Sequence, residues 1–71
     1  MGTNKPYYPN LEAEISKMGV KKQDIALALC ITPRTFSKKM MGEIDFWWRE
    51  VLLIHDILPD VPIITLFEHK D

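Results

Sequence analysis

The sequence predicts a small all-α domain of five helices. Three observations lead to this prediction: apolar residues recur every three or four positions, glycines and prolines separate the repeats, and only residues 61–67 have the β-branched composition of a strand. Because no second strand is available to pair with that segment, we expect it to be helical from residue 63 to residue 67. A chain of 71 residues that is 46% hydrophobic can build one small core, and we expect a single domain.

The first helix is predicted to follow an extended arm. Prolines at positions 6 and 9 exclude a regular helix over residues 1–9, which we expect to be extended around Tyr7 and Tyr8. Asn10 has the side chain of an N-cap and Gly19 suits the C′ position, so a helix is predicted between them. The apolar residues of this helix that follow at helical spacing are Leu11, Ile15 and Met18.

The second and third helices are predicted to be joined by a short break at residues 30–32. Thr32 followed by Pro33 is a strong start signal, because the hydroxyl can cap a free amide and proline fixes the φ of the first turn. The third helix should extend over residues 33–41, bury Phe36 and Met40, and end at Gly42. The second helix is predicted over residues 22–29, and its inward positions are Ile25, Ala26 and Leu29.

The fourth helix, predicted over residues 46–58 between an Asp45 cap and Pro59, has more apolar residues than one face can hold. The predicted inward stripe is Trp48, Val51, Ile54 and Leu58, with Trp47 at its edge. The residues left over are Leu52, Leu53 and Ile57. They form either a self-association surface or a surface that the Tyr7–Tyr8 arm covers, and both interpretations are open. The adjacent tryptophans also suit a stacking platform for single-stranded nucleic acid, although packing is the favoured interpretation.

Charge is segregated along the chain, although the formal net charge is only −1. Residues 17–49 contain seven Lys/Arg and three Asp/Glu, hence +4, whereas residues 50–71 contain one and five, hence −4. This distribution can present a positive face to a polyanion. A solvated helix surface of no further function is the other interpretation of the same pattern.

Several classes of site and location are not expected. His55 and His69 are far apart, Cys30 has no partner at ligand spacing, and no paired catalytic groups occur, so we expect no metal, cofactor, small-molecule or catalytic site. One cysteine cannot form an internal disulfide, which fits a reducing compartment. No apolar run approaches the ~20 residues of a membrane span and no export signal is present, so a cytoplasmic protein is expected.

The run from Gly19 to Ser37 is GVKKQDIALALCITPRTFS. It provides a small residue for a close approach of two helices, Ala26, and apolar residues for both sides of the turn, Ile31 and Phe36. The run resembles the lambda-repressor-like, Cro-type (XRE) helix-turn-helix family of phage and bacterial regulators. The similarity extends over residues 10–68. It implies a compact five-helix DNA-binding domain there, with an arm at 1–9 and a tail at 69–71.

By that resemblance, the protein is expected to be a sequence-specific, double-stranded DNA-binding transcriptional regulator that acts as a homodimer. The recognition helix in the major groove would be residues 33–41. The implied base contacts are Pro33, Arg34, Ser37 and Lys38, and the implied phosphate contacts are Lys22, Gln23, Thr32, Thr35 and Lys39. The candidate dimer surface is Leu52, Leu53 and Ile57.

Two further expectations accompany the resemblance. The family commonly has glycine where this chain has Cys30, and a left-handed backbone there would cost a non-glycine residue ~1–2 kcal/mol. The alternative function is a helical protein-interaction module that associates through the fourth helix and has little or no affinity for DNA. The mildly acidic net charge favours that alternative.

Overall fold

The computed structural model describes residues 7–69, and within this range all regular secondary structure is helical, as predicted. The helices are α1 (Pro9–Met18), α2 (Lys22–Ala28), α3 (Pro33–Met40), α4 (Trp48–Ile57) and α5 (Ile63–Leu66). α2 packs against α3, and α5 packs against both α1 and α4. The Cα radius of gyration is 11.4 Å, close to the ~11 Å of a compact chain of this length.

One hydrophobic core receives side chains from every helix. Its fully buried large side chains are Leu11, Ile25, Phe36, Ile54, Leu58 and Leu66. The segment with strand-like composition supplies Leu66 to this core as part of α5, so the prediction of a helix there is confirmed. None of the helices in the described range is long and apolar enough to cross a membrane.

α1 starts two residues earlier than predicted, and Asn10 is not its N-cap. Pro9 occupies the first helical turn and Tyr8 is the N-cap residue, without a side-chain capping bond. The Asn10 side chain instead donates to the backbone oxygen of Thr65 at 2.9 Å and to Oε1 of Glu68 at 3.0 Å, and thereby ties α1 to α5 and the residues after it. At the other end Gly19 has a left-handed φ of 69°, which confirms the predicted stop.

Part of the predicted arm belongs to the folded domain. Tyr8 is buried, and its ring centroid lies 5.5 Å from that of Phe46 and 5.9 Å from that of Phe67. Burial, with smaller contributions from Tyr7 and the Asp45 carboxylate, raises the pKa of the Tyr8 hydroxyl. The prediction of an extended arm at residues 7–9 is therefore wrong, because Tyr7 and Tyr8 pack on the aromatic core and Pro9 begins α1. Residues 1–6, the rest of that arm, and residues 70–71 of the predicted tail lie outside the described range.

The turn between α2 and α3 separates the two helices at the predicted residues. The Ile31 amide donates to the Ala26 oxygen at 3.0 Å, which folds the chain back on α2. Thr32 caps α3: its Oγ1 accepts from the Thr35 amide at 3.1 Å. Cys30 has a φ of +61°, the left-handed conformation that favours glycine.

Because of that conformation, Cys30→Gly is expected to stabilise the domain. The left-handed backbone costs a non-glycine residue ~1–2 kcal/mol, and the extra freedom of glycine in the unfolded chain offsets ~0.4–1 kcal/mol of the gain. We expect the free energy of unfolding in urea to rise by about 0.5–1 kcal/mol. Since the Cys30 side chain is exposed, no core packing is lost. A destabilised variant would contradict the assignment of strain to this residue.

α4 is shorter than predicted, and its inward stripe is different. The helix begins at Trp48, with Trp47 as N-cap in place of Asp45. Trp48 is 65% exposed and Trp47 64%, so neither belongs to the core. Phe46 lies before the helix and packs on the aromatic core, which leaves the first inward position of α4 to Glu50. Ile54 and Leu58 are buried as predicted.

Candidate nucleic-acid interface

The outward face of α3 presents three of the four side chains predicted to contact bases. Phe36 and Met40 are buried against the core. At about 100° per residue, Arg34 and Lys38 project opposite Phe36 and share one face. Neither side chain has a hydrogen bond or ion pair with any other described residue. The exposed residues of this face are Arg34, Ser37 and Lys38, whereas Pro33 is exposed in the first turn and lies about 60° from Phe36 around the helix.

The side chains of the two threonines at the start of α3, Thr32 and Thr35, are hydrogen-bonded to each other. Besides capping the helix, Thr32 donates its hydroxyl hydrogen to Thr35 Oγ1 at 3.0 Å. Thr32 is exposed and Thr35 is half-buried. The Thr35 hydroxyl therefore keeps its own donor, at the edge of the outward face, for an external acceptor.

The start of α2 lies beside α1 and carries one paired cation. Lys22 Nζ is 2.8 Å from Glu12 Oε1, in a pair whose side chains are 50% and 29% exposed. Gln23, the next residue, is exposed. Both residues are accessible, but Glu12 already screens part of the charge that Lys22 was predicted to offer to phosphate.

Lys39 was predicted to contact phosphate from the surface, and the structure contradicts this. The residue is 3% exposed, and its Nζ lies 2.9 Å from Oε1 of the equally buried Glu50. Lys39 Nζ also donates to the backbone oxygen of Asp45 at 3.1 Å and lies 5.5 Å from the centroid of the Trp47 ring. In this structure Lys39 is an internal cation rather than part of an exterior surface.

The buried pair connects α3 to the start of α4. Glu50 Oε1 accepts both from Lys39 Nζ and from the Trp47 amide, each at 2.9 Å. The second bond caps α4 in the manner of the N3 glutamate of a capping box. The Lys39–Glu50 pair thereby holds α3 against the loop and helix that follow it. Because the pair acts on the inner side of α3, it fixes the orientation of the outward side chains Arg34 and Lys38.

The electrostatic field of residues 17–49 is weaker than their formal charge indicates. Of the seven cations, Lys39 is neutralised in the interior and Lys22 is paired with Glu12. The five that are exposed and have no ion pair in the described range are Lys17, Lys21, Arg34, Lys38 and Arg49.

An open groove of about 260 Å³ lies between the starts of α2 and α3. Its lining residues are Gln23, Asp24, Leu27, Ile31 and Pro33. The groove adjoins the outward face of α3 at Pro33, and Asp24 introduces an exposed carboxylate beside that face. The Asp24 carboxylate lowers the positive potential on this side of α3.

Only part of the predicted dimer surface is free. Leu52 is 44% exposed and Leu53 37%, whereas Ile57 packs against the core. The alternative in which Tyr7 and Tyr8 cover Leu52 and Leu53 is wrong, because both leucines are more than one-third exposed. The described residues contain no group of three or more His, Cys, Asp or Glu side chains that could hold a metal ion.

Comparison of the chain with family models, with curated proteins and with solved structures finds no match in any of the three.

Proposed function

We propose that this protein is a sequence-specific, double-stranded DNA-binding regulator of the lambda-repressor-like helix-turn-helix type, with α3 as its recognition helix. The observation that carries the proposal is the outward face of α3. Arg34 and Lys38 share a face opposite the buried Phe36 and lack partners among the described residues. An α-helix with such a face fits the major groove, where an arginine can donate twice to the O6 and N7 atoms of guanine.

The turn supports the same proposal. Two short helices joined through residues 29–32, with a capped and outward-facing second helix, are the local structure that a helix-turn-helix requires. In the proposed complex, Pro33, Arg34, Ser37 and Lys38 face the bases. Lys22, Gln23, Thr32 and Thr35 contact phosphates, and Lys39 positions α3 from the interior.

Arg34 and Lys22 are expected to respond differently to alanine substitution. Arg34→Ala should weaken the preferred sequence by ~1–3 kcal/mol and relax base preference at one position, because a base contact carries sequence information. Lys22→Ala should weaken all sequences alike and reduce the salt slope by ~1, because a phosphate contact carries none. Affinities measured for duplexes selected from a random pool, over a range of salt, separate the two. Equal losses for both variants on every sequence would reject the assigned roles.

Glu12→Gln is the matched control for Lys22. The substitution removes the partner of Lys22 at 2.8 Å and leaves the lysine charge in place. If Lys22 contacts phosphate, Glu12→Gln should raise the affinity for all sequences, since the ammonium no longer has to leave a carboxylate. Because the substitution also removes a negative charge, the decisive comparison is Glu12→Gln in the Lys22→Ala background: the gain should be lost there if Lys22 contacts phosphate, and should persist if it arises from the removed carboxylate alone.

The second candidate function is a protein-interaction module, which the exposed surface of α4 favours. Trp48, Leu52 and Leu53 are each more than one-third exposed on one short helix. Binding to random duplex DNA separates the candidates. A DNA-binding regulator binds at low salt and loses affinity steeply as salt rises, whereas an interaction module shows neither property.

A further inference from the structure

The outward surface of α4 has apolar and charged residues whose side chains do not pack in the core. The helix buries Glu50 and Ile54 and turns Arg49, Leu52 and Asp56 to solvent. At about 100° per residue, Arg49 and Asp56 lie within about 20° of each other around the helix and ~10.5 Å apart along it. Leu52 and Leu53 lie halfway between them along the axis, about 50° to either side of the line that joins them.

The two charges are at the unfavourable ends of their own helix. Arg49 is the second residue of α4, next to the positive end of the helix dipole, and Asp56 is the last but one, next to the negative end. Neither has a salt-bridge partner among the described residues. Within one chain, this arrangement therefore brings no electrostatic gain.

The same arrangement is self-complementary for two antiparallel helices. A two-fold axis between Leu52 and Leu53 places Arg49 of one copy opposite Asp56 of the other, and does so twice. Each Asp56 then lies beside the positive end of the other helix, and each Arg49 beside the negative end. Near the axis, Leu52 meets Leu52 of the other copy and Leu53 meets Leu53. Apolar residues therefore face apolar residues, and each charged residue faces one of opposite charge.

We propose that α4 is a homodimer interface in which two copies of this chain pack antiparallel about an axis between Leu52 and Leu53. The occupant of the exposed face is a second copy because the face complements itself in charge. The interface contains two Arg49–Asp56 pairs, one at each end, with the leucines between them. Trp48, 65% exposed, covers the edge of the contact. This inference concerns the protein without DNA and does not depend on the proposed function.

The proposed dimer is small. Two helices of ten residues in contact bury an area at the lower end of specific interfaces. We therefore expect a reversible dimer that forms as protein concentration rises. The two ion pairs set its antiparallel orientation more than its affinity.

Charge reversal tests the proposal, with association measured by sedimentation equilibrium of the full chain over a range of concentrations at low salt. Arg49→Asp places two carboxylates opposite each other at both ends of the interface, and Asp56→Arg does the same with two guanidinium groups. Each variant alone should have a dimer dissociation constant about 10-fold or more above that of the wild type. When the two variants are mixed, every charged pair is again opposite in sign. The mixture should associate as the wild type does, and so should the double variant Arg49→Asp/Asp56→Arg.

Both substituted side chains are exposed and without a salt-bridge partner in the described range, so the circular dichroism should stay close to that of the wild type. The unfolding midpoints should be equal to or slightly above that of the wild type, because each reversal places a favourable charge at its end of the helix dipole. Leu52→Glu is a second, independent variant that places two carboxylates at the axis and should also dissociate the dimer. The proposal is overturned if the wild type remains monomeric at every concentration. It is overturned equally if the mixed charge variants associate no better than each variant alone, or if association is insensitive to all the substitutions.

Discussion

Replacement of Lys39 by methionine is expected to lower the free energy of unfolding by about 3–5 kcal/mol, because it leaves the Glu50 carboxylate buried without its cation. Both side chains of the pair are only 4% exposed, so water cannot replace the missing ammonium without opening the core. Urea unfolding followed by circular dichroism measures the loss. In so small a domain a loss of this size removes most of the stability.

The double variant Lys39→Met/Glu50→Gln is the control. A glutamine at position 50 can still accept from the Trp47 amide, as Glu50 does at 2.9 Å, but it brings no charge into the interior. Most of the stability lost in the single variant should therefore return. If Lys39→Met cost less than ~1 kcal/mol, the size of an exposed ion pair, the lysine would be a surface residue and the original prediction of a phosphate contact would stand.

Gly42→Ala is expected to cost about 2–5 kcal/mol. Gly42 has a φ of +82°, in the left-handed region, which contributes ~1–2 kcal/mol for alanine. A Cβ atom there would also lie 2.7–2.9 Å from three ring atoms of Tyr7, and overpacking of this kind costs ~1–3 kcal/mol. The ring cannot easily withdraw, because it stacks on His69 at 4.9 Å and meets the edge of Tyr8 at 4.8 Å.

Gly19→Ala is the matched comparison. Gly19 has a φ of +69°, but a Cβ atom there would meet nothing within 4 Å. Its substitution should cost only the backbone term of ~1–2 kcal/mol. The difference between the two variants in urea unfolding measures the Tyr7 contact. Equal losses would show that the ring does not rest on Gly42.

The sequence predicted the elements whose ends depend on local chemistry. The cap at Thr32, the stop at Gly19 and the burial of Phe36 follow from interactions within one or two turns of a helix, and all three are confirmed. The outward position of Arg34 and Lys38 follows from the helical period once Phe36 is placed inside. Local pattern and tertiary structure agree over this part of the chain.

The errors concern residues whose positions depend on distant parts of the chain. Lys39 lies only about 60° from Phe36 around α3, so its period did indicate an inward direction. The family resemblance implied a surface position for Lys39, and the partner that makes its burial tolerable, Glu50, is on another helix. Helical spacing predicts Trp48 on the inward stripe of α4, but Phe46 reaches the aromatic core from the preceding loop and Trp48 remains exposed. These pairings cannot be read from spacing, since they arise only when α3, the loop and α4 meet.

Binding of duplex DNA by the outward face of α3 is tested most directly by an NMR titration of the protein with random-sequence duplex at low salt. We expect the amide signals of residues 32, 34–38 and 21–23 to shift, and the shifts to diminish steeply as salt rises. Arg34→Ala should reduce them without a change in the fold, since Arg34 is exposed. Absence of shifts at low salt, or shifts confined to residues 48–57, would contradict DNA binding by α3.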